Sequence, residues 1–222
     1  MPLENYRTSF YAQLARLGKA ISNNTRLEII DLLAQGERTV DSVSTELGVP
    51  LPNTSHHLHK LLQNGVVKSR KAGVHVHFRL SDNAVSHFVN ALAKVAEANL
   101  LEFEKLVNDY LTTRDNLEPL DADELSRRMR EGSVTVIDAR PPDEYAIGHL
   151  PGAINLPFWE IDPPLENLPK DREIVAYCRG PYCILSYEAT AKLRSLGYSV
   201  RRLRDGFPDW KDRGLPVVYA SA

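Results

Sequence analysis

Apolar residues in the first half of the chain recur at helical spacing. Phe10, Leu14 and Leu17 share one face of a helix expected over residues 10–20. Ser22 or Asn23 caps a second helix, in which Leu27, Ile29, Ile30, Leu32 and Leu33 supply core before Gly36 ends it. A short helix over residues 39–47 closes at Gly48. The turn Pro50-Leu51-Pro52 then opens a helix over 53–63, which Asn64-Gly65 stops. The period next changes to two: residues 66–70 and 74–80 alternate as strands around the basic tip Lys71-Ala72-Gly73. Beyond them the spacing predicts one long helix over 83–110. Its apolar positions, Val85, Phe88, Val89, Leu92, Val95, Leu100, Phe103, Leu106 and Val107, exceed what one small domain covers. The surplus points to a homodimer seam along that helix.

Residues 112–118 are polar and read as a linker, with Pro119 at the entry to a second domain. The expected division is a domain over 1–112 and a linker plus second domain over 113–222. In the second part the rhythm changes to short apolar strands alternating with helices. The strands are Val134-Thr135-Val136-Ile137, ending at Asp138, then Ile154-Asn155-Leu156, Ile174-Val175-Ala176-Tyr177 and a run from Ser199 to Leu203. Helices fall over 122–130 and 186–196. This alternation argues for an α/β domain with a parallel sheet covered on both faces.

Composition sharpens the picture in three places. With 222 residues the chain has room for two cores, and its formal net charge of -2 names no acidic or basic partner by itself. The distribution is more telling: from Leu47 to Ser81 there is no Asp or Glu, while Lys60, Lys68, Arg70, Lys71 and Arg79 and five of the seven histidines fall there. Such a segment suits a polyanion-binding surface. No apolar stretch is long enough to cross a membrane and the first ten residues lack a signal-peptide pattern, so a cytoplasmic protein with reduced thiols and no membrane partner is expected.

The two cysteines share one loop, Tyr177-Cys178-Arg179-Gly180-Pro181-Tyr182-Cys183, between a strand and the helical pattern that begins at Ile184. A thiol delivered to a helix mouth beside an arginine is poised to ionise. His56, His57 and His59 lack a carboxylate or thiolate partner at ligand spacing, so no metal and no cofactor are expected.

Helix, turn, helix and basic hairpin is the order of a winged helix-turn-helix. The stretches from Lys19 to Ile30 and from Leu51 to Leu61, with Ser55-His56-His57-Leu58 at its centre, resemble the ArsR-type bacterial repressors, as do Asn64-Gly65-Val66-Val67 and the wing. One departure is Asn24, where that family usually has proline. The resemblance implies a mainly α domain that binds a double-stranded DNA operator. Asn53, Thr54, Ser55, His57 and Lys60 on the recognition helix, and Arg70, Lys71, His75, His77 and Arg79 on the wing, become the expected contacts. The metal-binding cysteines that many such repressors carry are absent from the helix over 39–47, so a sensor is expected elsewhere.

From Leu120 to about Val218 the chain resembles a rhodanese domain. The resemblance rests on Val136-Ile137-Asp138-Ala139-Arg140, on the block from Glu144 to Asn155, on the Cys178 loop, and on Leu203-Arg204-Asp205-Gly206-Phe207-Pro208-Asp209-Trp210. It implies a parallel-sheet fold and a Cys178 that accepts sulfane sulfur as a persulfide, then passes it to a thiol. The loop Arg179, Gly180, Pro181, Tyr182, Cys183 and Ile184 would cradle the sulfur, Arg179 would help hold an anionic donor, and Asp138 and Arg140 would support the site. His149 is expected to be structural rather than catalytic. Two departures stand out: Pro181 removes one N–H from the cradle, and Cys183 could resolve a persulfide on Cys178 into a disulfide. Ile184 and Leu185 stand where related phosphatase loops need an arginine.

Two functions are expected from these parts. The first is a regulator whose rhodanese domain senses or transfers sulfane sulfur through Cys178, with a small sulfur donor or thiol acceptor as partner. The alternative is a sulfurtransferase for which the winged helix mainly dimerises or tethers to DNA; a plain peroxide or thiol sensor using the same cysteine pair also remains open.

Overall fold

The computed structural model describes residues 3–115, 117–162, 165 and 168–219. Its contacts divide the chain into two compact units, residues 1–93 and 94–222, so the division lies 19 residues before the expected one at 112. The first unit comprises helices α1 (Leu3–Ile21), α2 (Asn24–Gln35), α3 (Val40–Leu47) and α4 (Leu51–Gln63), strands β1 (Arg38–Thr39), β2 (Val67–Ala72) and β3 (His75–Leu80), and the start of α5 (Ala84–Asn99). Local chemistry sets these boundaries. The Asn23 side chain accepts from the Arg26 amide at 3.2 Å to cap α2, and Thr39 does the same for α3 through the Ser42 amide. Gly48 ends α3 in the left-handed conformation with φ 63°, where a side chain would be strained.

The three strands form an antiparallel sheet ordered β1-β3-β2, with Lys68 opposite Arg79 and Arg70 opposite His77. The wing tip is a two-residue turn at Gly73-Val74, one position later than the sequence suggested: Lys71 and Ala72 are still paired, and Gly73 takes φ 61°. Ile29, Ile30, Leu32 and Leu33 of α2 pack with Leu58 and Leu61 of α4 and Phe78 and Leu80 of β3 in one core. The faces carrying Tyr6, Phe10, Leu14 and Leu17 on α1 and Phe88, Leu92 and Val95 on α5 stay exposed.

The long helix expected over 83–110 is broken. After α5, Leu100 adopts an extended conformation (φ -112°, ψ 108°), and α6 (Leu101–Val107) starts afresh before a π-helical turn over Asn108–Thr112. Periodicity could not reveal the break, because tertiary packing overrides a propensity that runs through it. Phe103 packs edge-on against Tyr182, and Leu111 is buried within the second unit.

The second unit continues with α7 (Ala122–Glu131), β4 (Val134–Asp138), α8 (Pro142–Ile147), β5 (Ile154–Asn155), β6 (Glu173–Tyr177), α9 (Ile184–Ser195), β7 (Val200–Arg202) and α10 (Phe207–Asp212). Its strands form a parallel sheet ordered β5-β4-β6-β7. Side chains alternate between two cores, as the strand period requires. Val134, Val136, Val175 and Tyr177 face α7 and α10 through Leu125, Phe207 and Trp210, whereas Ile137, Ile174, Ala176 and Val200 face α9 through Ala189 and Leu193. Helices therefore cover both faces.

The stretch read as a linker is anchored rather than loose. Asp115 is buried and accepts from Arg194 Nη1 at 2.7 Å and Arg202 Nε at 2.5 Å, while Arg114 Nε donates to Glu188 at 2.6 Å. Burial raises the Asp115 pKa, but hydrogen bonds from Arg194, the Leu117 amide and Arg202 outweigh it and hold the carboxyl below its ordinary range.

Candidate DNA-binding surface and sulfur site

On α4 the exposed positions are Leu51, Pro52, Asn53, His56, His59, Lys60 and Gln63, a ridge at helical spacing. Asn53 and Lys60 lie on it as expected, and Ser55 is half-buried beside it. Thr54 does not: it is fully buried, and its hydroxyl donates to the Val49 carbonyl at 3.1 Å, securing the turn before the helix. His57 is half-buried with Nδ1 enclosed and without a hydrogen-bond partner. Burial, with Arg26 and His56 nearby, lowers its pKa and favours the neutral ring. The histidines that the ridge presents are therefore His56 and His59, which helical phase alone could have selected against the buried Leu58 and Leu61.

Cross-strand register places Lys68, Arg70, His75, His77 and Arg79 on one face of the wing, opposite the face of the buried Phe78. Lys68, Lys71, His75 and Arg79 are exposed. Arg70 is engaged by Glu37, with Nε at 2.8 Å from Oε2, so an acidic residue outside the acid-free segment reaches the wing. Lys71 falls on the other face from Arg70 and projects near the tip.

The sulfur site grows from the carboxyl end of β6. Tyr177 is its last residue and Cys178 follows, 2% exposed. The loop turns through a hydrogen bond from the Cys183 amide to the Gly180 carbonyl at 3.1 Å, so that amide is committed to the turn and does not join the expected sulfur cradle. Cys183 is the residue before α9, and its sulfur is joined to that of Cys178 as a disulfide with the Cα atoms 6.3 Å apart. Both sulfurs therefore lie at the amino end of a 12-residue helix, where unpaired amides favour negative charge.

Three sets of neighbours hold the loop. The Phe207 amide donates to the Cys178 carbonyl at 3.0 Å. Next to it, a Cβ on Gly206 would lie 2.0 Å from the Arg179 carbonyl oxygen, so only glycine admits this close approach. The Tyr187 hydroxyl donates to the Pro181 carbonyl at 3.2 Å. Arg179 Nε donates to the fully buried Glu144 at 3.0 Å, so the guanidinium expected to hold an anionic donor already has a carboxylate partner. Sequence reasoning missed Glu144 and Gly206 as site residues. No local pattern pairs Glu144 with Arg179, 35 residues away, but a glycine between a strand end and a helix start was a visible sign of close backbone approach.

Asp138 and Arg140 are completely buried. Arg140 Nη2 donates to Asp138 Oδ2 at 2.6 Å and to the Gly148 carbonyl at 2.7 Å, and Tyr177 donates its phenol to the same carboxylate. The guanidinium lies 4.1 Å from the centre of the Phe207 ring. Burial opposes charge on Arg140, but Asp138 outweighs it and holds the guanidinium protonated. This assembly joins the ends of β4 and β6 beneath the loop. His149 stacks on Tyr145 with ring centres 3.7 Å apart, and its Nδ1 lies 2.9 Å from the Tyr145 carbonyl, a structural placement. Among the described residues, no group of three or more His, Cys, Asp or Glu side chains is placed to hold a metal ion, and no helix is long and apolar enough to cross a membrane.

A winged helix-turn-helix followed by a cysteine loop on a parallel sheet defines a DNA-binding module fused to a rhodanese-type module. Family comparisons agree: residues 23–69 match the bacterial regulatory protein, arsR family, and residues 121–213 the rhodanese-like domain. The HTH-type transcriptional regulator Rv0324 of Mycobacterium tuberculosis is 40% identical over 205 residues, covering 92% of this chain and 90% of that protein. A sulfurtransferase of Allochromatium vinosum is 40% identical over 101 residues, 45% of this chain and 92% of its own length. Among solved structures, the homodimeric winged helix-turn-helix DNA-binding domain Mb0332 of Mycobacterium bovis is 35% identical, covering 43% of this chain and 89% of that one, with a TM-score of 0.41. The chain belongs to the ArsR-type transcriptional regulators, in the form that carries a carboxy-terminal rhodanese domain.

Proposed function

We propose that this regulator senses sulfane sulfur, and that the state of Cys178 and Cys183 sets its affinity for operator DNA. The observation that carries the reading is the pairing of the two cysteines at the amino end of α9. Starting from the dithiol, the Cys178 thiolate attacks the outer sulfur of an organic hydropersulfide. The donor's S–S bond breaks, its thiolate leaves and takes a proton, and Cys178 becomes a persulfide. The Cys183 thiolate then attacks the Cys178 sulfur and expels hydrosulfide, forming the disulfide. Two thiols lose two electrons and the transferred sulfur gains them as sulfide, so the sequence balances. Two equivalents of a small thiol restore the dithiol.

With Arg179 engaged by Glu144 and Pro181 lacking an amide hydrogen, the loop is better matched to a hydropersulfide than to an anionic donor such as thiosulfate. On the DNA side, Asn53, His56, Lys60, Lys68, Lys71, His75 and Arg79 offer exposed contacts. The exposed apolar faces of α1 and α5 fit a second copy of the chain, a homodimer as operator recognition by paired recognition helices requires.

The test uses the full chain and a labelled duplex selected against its reduced form. The dithiol and the disulfide forms are expected to differ in affinity about 5–150-fold, the usual range of an allosteric coupling. Cys178→Ser is expected to bind alike with and without a hydropersulfide donor. Equal affinities of the two wild-type forms would overturn the reading, and sustained thiosulfate turnover without an effect on DNA binding would favour the sulfurtransferase alternative.

A further inference from the structure

Between the two cysteines, Tyr182 makes a contact that sulfur chemistry does not need. Its hydroxyl donates to Glu97 Oε2 at 2.6 Å, joining residues 85 positions apart. Its ring meets Phe103 edge-on, with centroids 6.0 Å apart and planes at 78°. Burial, followed by the hydrogen bond to Glu97 and that residue's charge, pushes the phenol pKa up, so the hydroxyl stays protonated and remains the donor. Tyr182 and Ile184, the two neighbours of Cys183, together with Phe103, Leu106, Val107, Tyr110 and Leu111, line one apolar groove of about 340 Å³. Glu97 belongs to α5, the helix that contributes Val85 and Val89 to the core of the winged helix; Phe103 belongs to α6.

We propose that Tyr182 is the positioning residue through which α5 and α6 read the sulfur state of Cys178 and Cys183. The inference rests on the sensing function proposed above and names the contact that would carry its signal. Two sulfurs returned from a covalent bond to non-bonded contact separate by on the order of 1.5 Å. Cys178 is held by β6 and by the Phe207 amide from outside the loop, whereas the Cys183 amide is tied within the loop, to the Gly180 carbonyl, so the adjustment is assigned to Cys183 and to the residue bonded to it, Tyr182. A 2.6 Å hydrogen bond lengthened by that amount is no longer a hydrogen bond. In the disulfide state the phenol therefore clamps the end of α5, and in the dithiol or persulfide state it lets go.

The test compares the affinity ratio of the dithiol and disulfide forms for the same duplex across full-length variants. Tyr182→Phe keeps the ring on Phe103 and removes the hydroxyl. Glu97→Ala removes the acceptor, and Glu97→Gln keeps an acceptor oxygen. Tyr182→Phe and Glu97→Ala are expected to bring the ratio to within about threefold of one, below the lower end of ordinary couplings. Glu97→Gln should retain most of it. Mass spectrometry should show the disulfide still forming in Tyr182→Phe, and forming at the wild-type rate in the two Glu97 variants, which lie outside the cysteine loop, a readout that general damage to the loop would change. A wild-type ratio surviving in both Tyr182→Phe and Glu97→Ala overturns this inference and leaves the sensing function standing. A ratio of one in the wild-type protein removes the sensing function itself, and the inference with it.

Discussion

Replacing Gly206 with alanine tests how tightly the cysteine loop is fitted. The added Cβ would lie 2.0 Å from the Arg179 carbonyl oxygen, 2.2 Å from its carbon and 2.5 Å from the Gly180 nitrogen. All three are backbone atoms, so no side chain can rotate away, and relief requires the chain at Arg179-Gly180 to retreat by more than about 1 Å to reach ordinary contact. Overpacking of this kind costs about 1–3 kcal/mol. The adjacent hydrogen bond from the Phe207 amide to the Cys178 carbonyl would be strained as well, at about 1 kcal/mol. The expected loss is therefore about 2–4 kcal/mol. Gly180→Ala in the same loop is the matched control, because its Cβ would meet nothing within 4 Å. Both tryptophans, Trp159 and Trp210, lie in the second unit, so urea unfolding followed by tryptophan fluorescence reports on that unit. Gly206→Ala should lower the midpoint substantially while Gly180→Ala leaves it nearly unchanged. Equal midpoints for the two variants would refute the argument.

Other residues give independent checks. Asp115→Asn should cost about 3 kcal/mol at neutral pH, since it leaves Arg194 and Arg202 without their buried carboxylate. Because the folded-state pKa of Asp115 lies below its unfolded value of about 3.9, its contribution is present above that pH and is lost as pH falls through the lower folded value. The acid limb of the wild-type stability profile should accordingly be flatter in the variant. Glu144→Gln should release Arg179 and raise the rate of Cys178 modification by thiosulfate several-fold relative to a neutral donor, measured by mass spectrometry; an unchanged preference would contradict the assigned pairing. Lys68→Ala should weaken DNA binding across sequences and reduce the salt-dependence slope by about one, whereas Thr54→Ser should leave the slope unchanged.

Much of the fold was legible because its periodicities are strong. The apolar spacing of α2, its cap at Ser22 or Asn23, and the short apolar runs of β4 and β6 are local signals, and these elements lie within a few residues of where those signals put them. The order of strand, cysteine and helix exposed the sulfur loop for the same reason. What stayed hidden depends on partners distant in sequence. Leu100 interrupts a continuous helical pattern, with α6 packed through Phe103 against Tyr182. Asp115 looked like linker because its arginines lie 79 and 87 residues further on. Thr54 looked like a base contact because its residue type suits DNA, yet its hydroxyl is turned to a backbone carbonyl. Arg179 looked available because Glu144 is brought to it only by the closed sheet.

The short interval between the two cysteines also has a kinetic meaning. Five positions separate them, and the loop already holds the two sulfurs together. Once Cys178 carries a persulfide or a mixed disulfide, Cys183 confronts it at an effective concentration of at least the millimolar order. A free thiol in solution must instead reach a sulfur on a residue that is only 2% exposed. On the proposed chemistry the modified cysteine is thus a fleeting species and the disulfide the lasting one. The duration of the response would then be governed less by how much donor arrives than by how readily a reductant can enter the loop and reopen it.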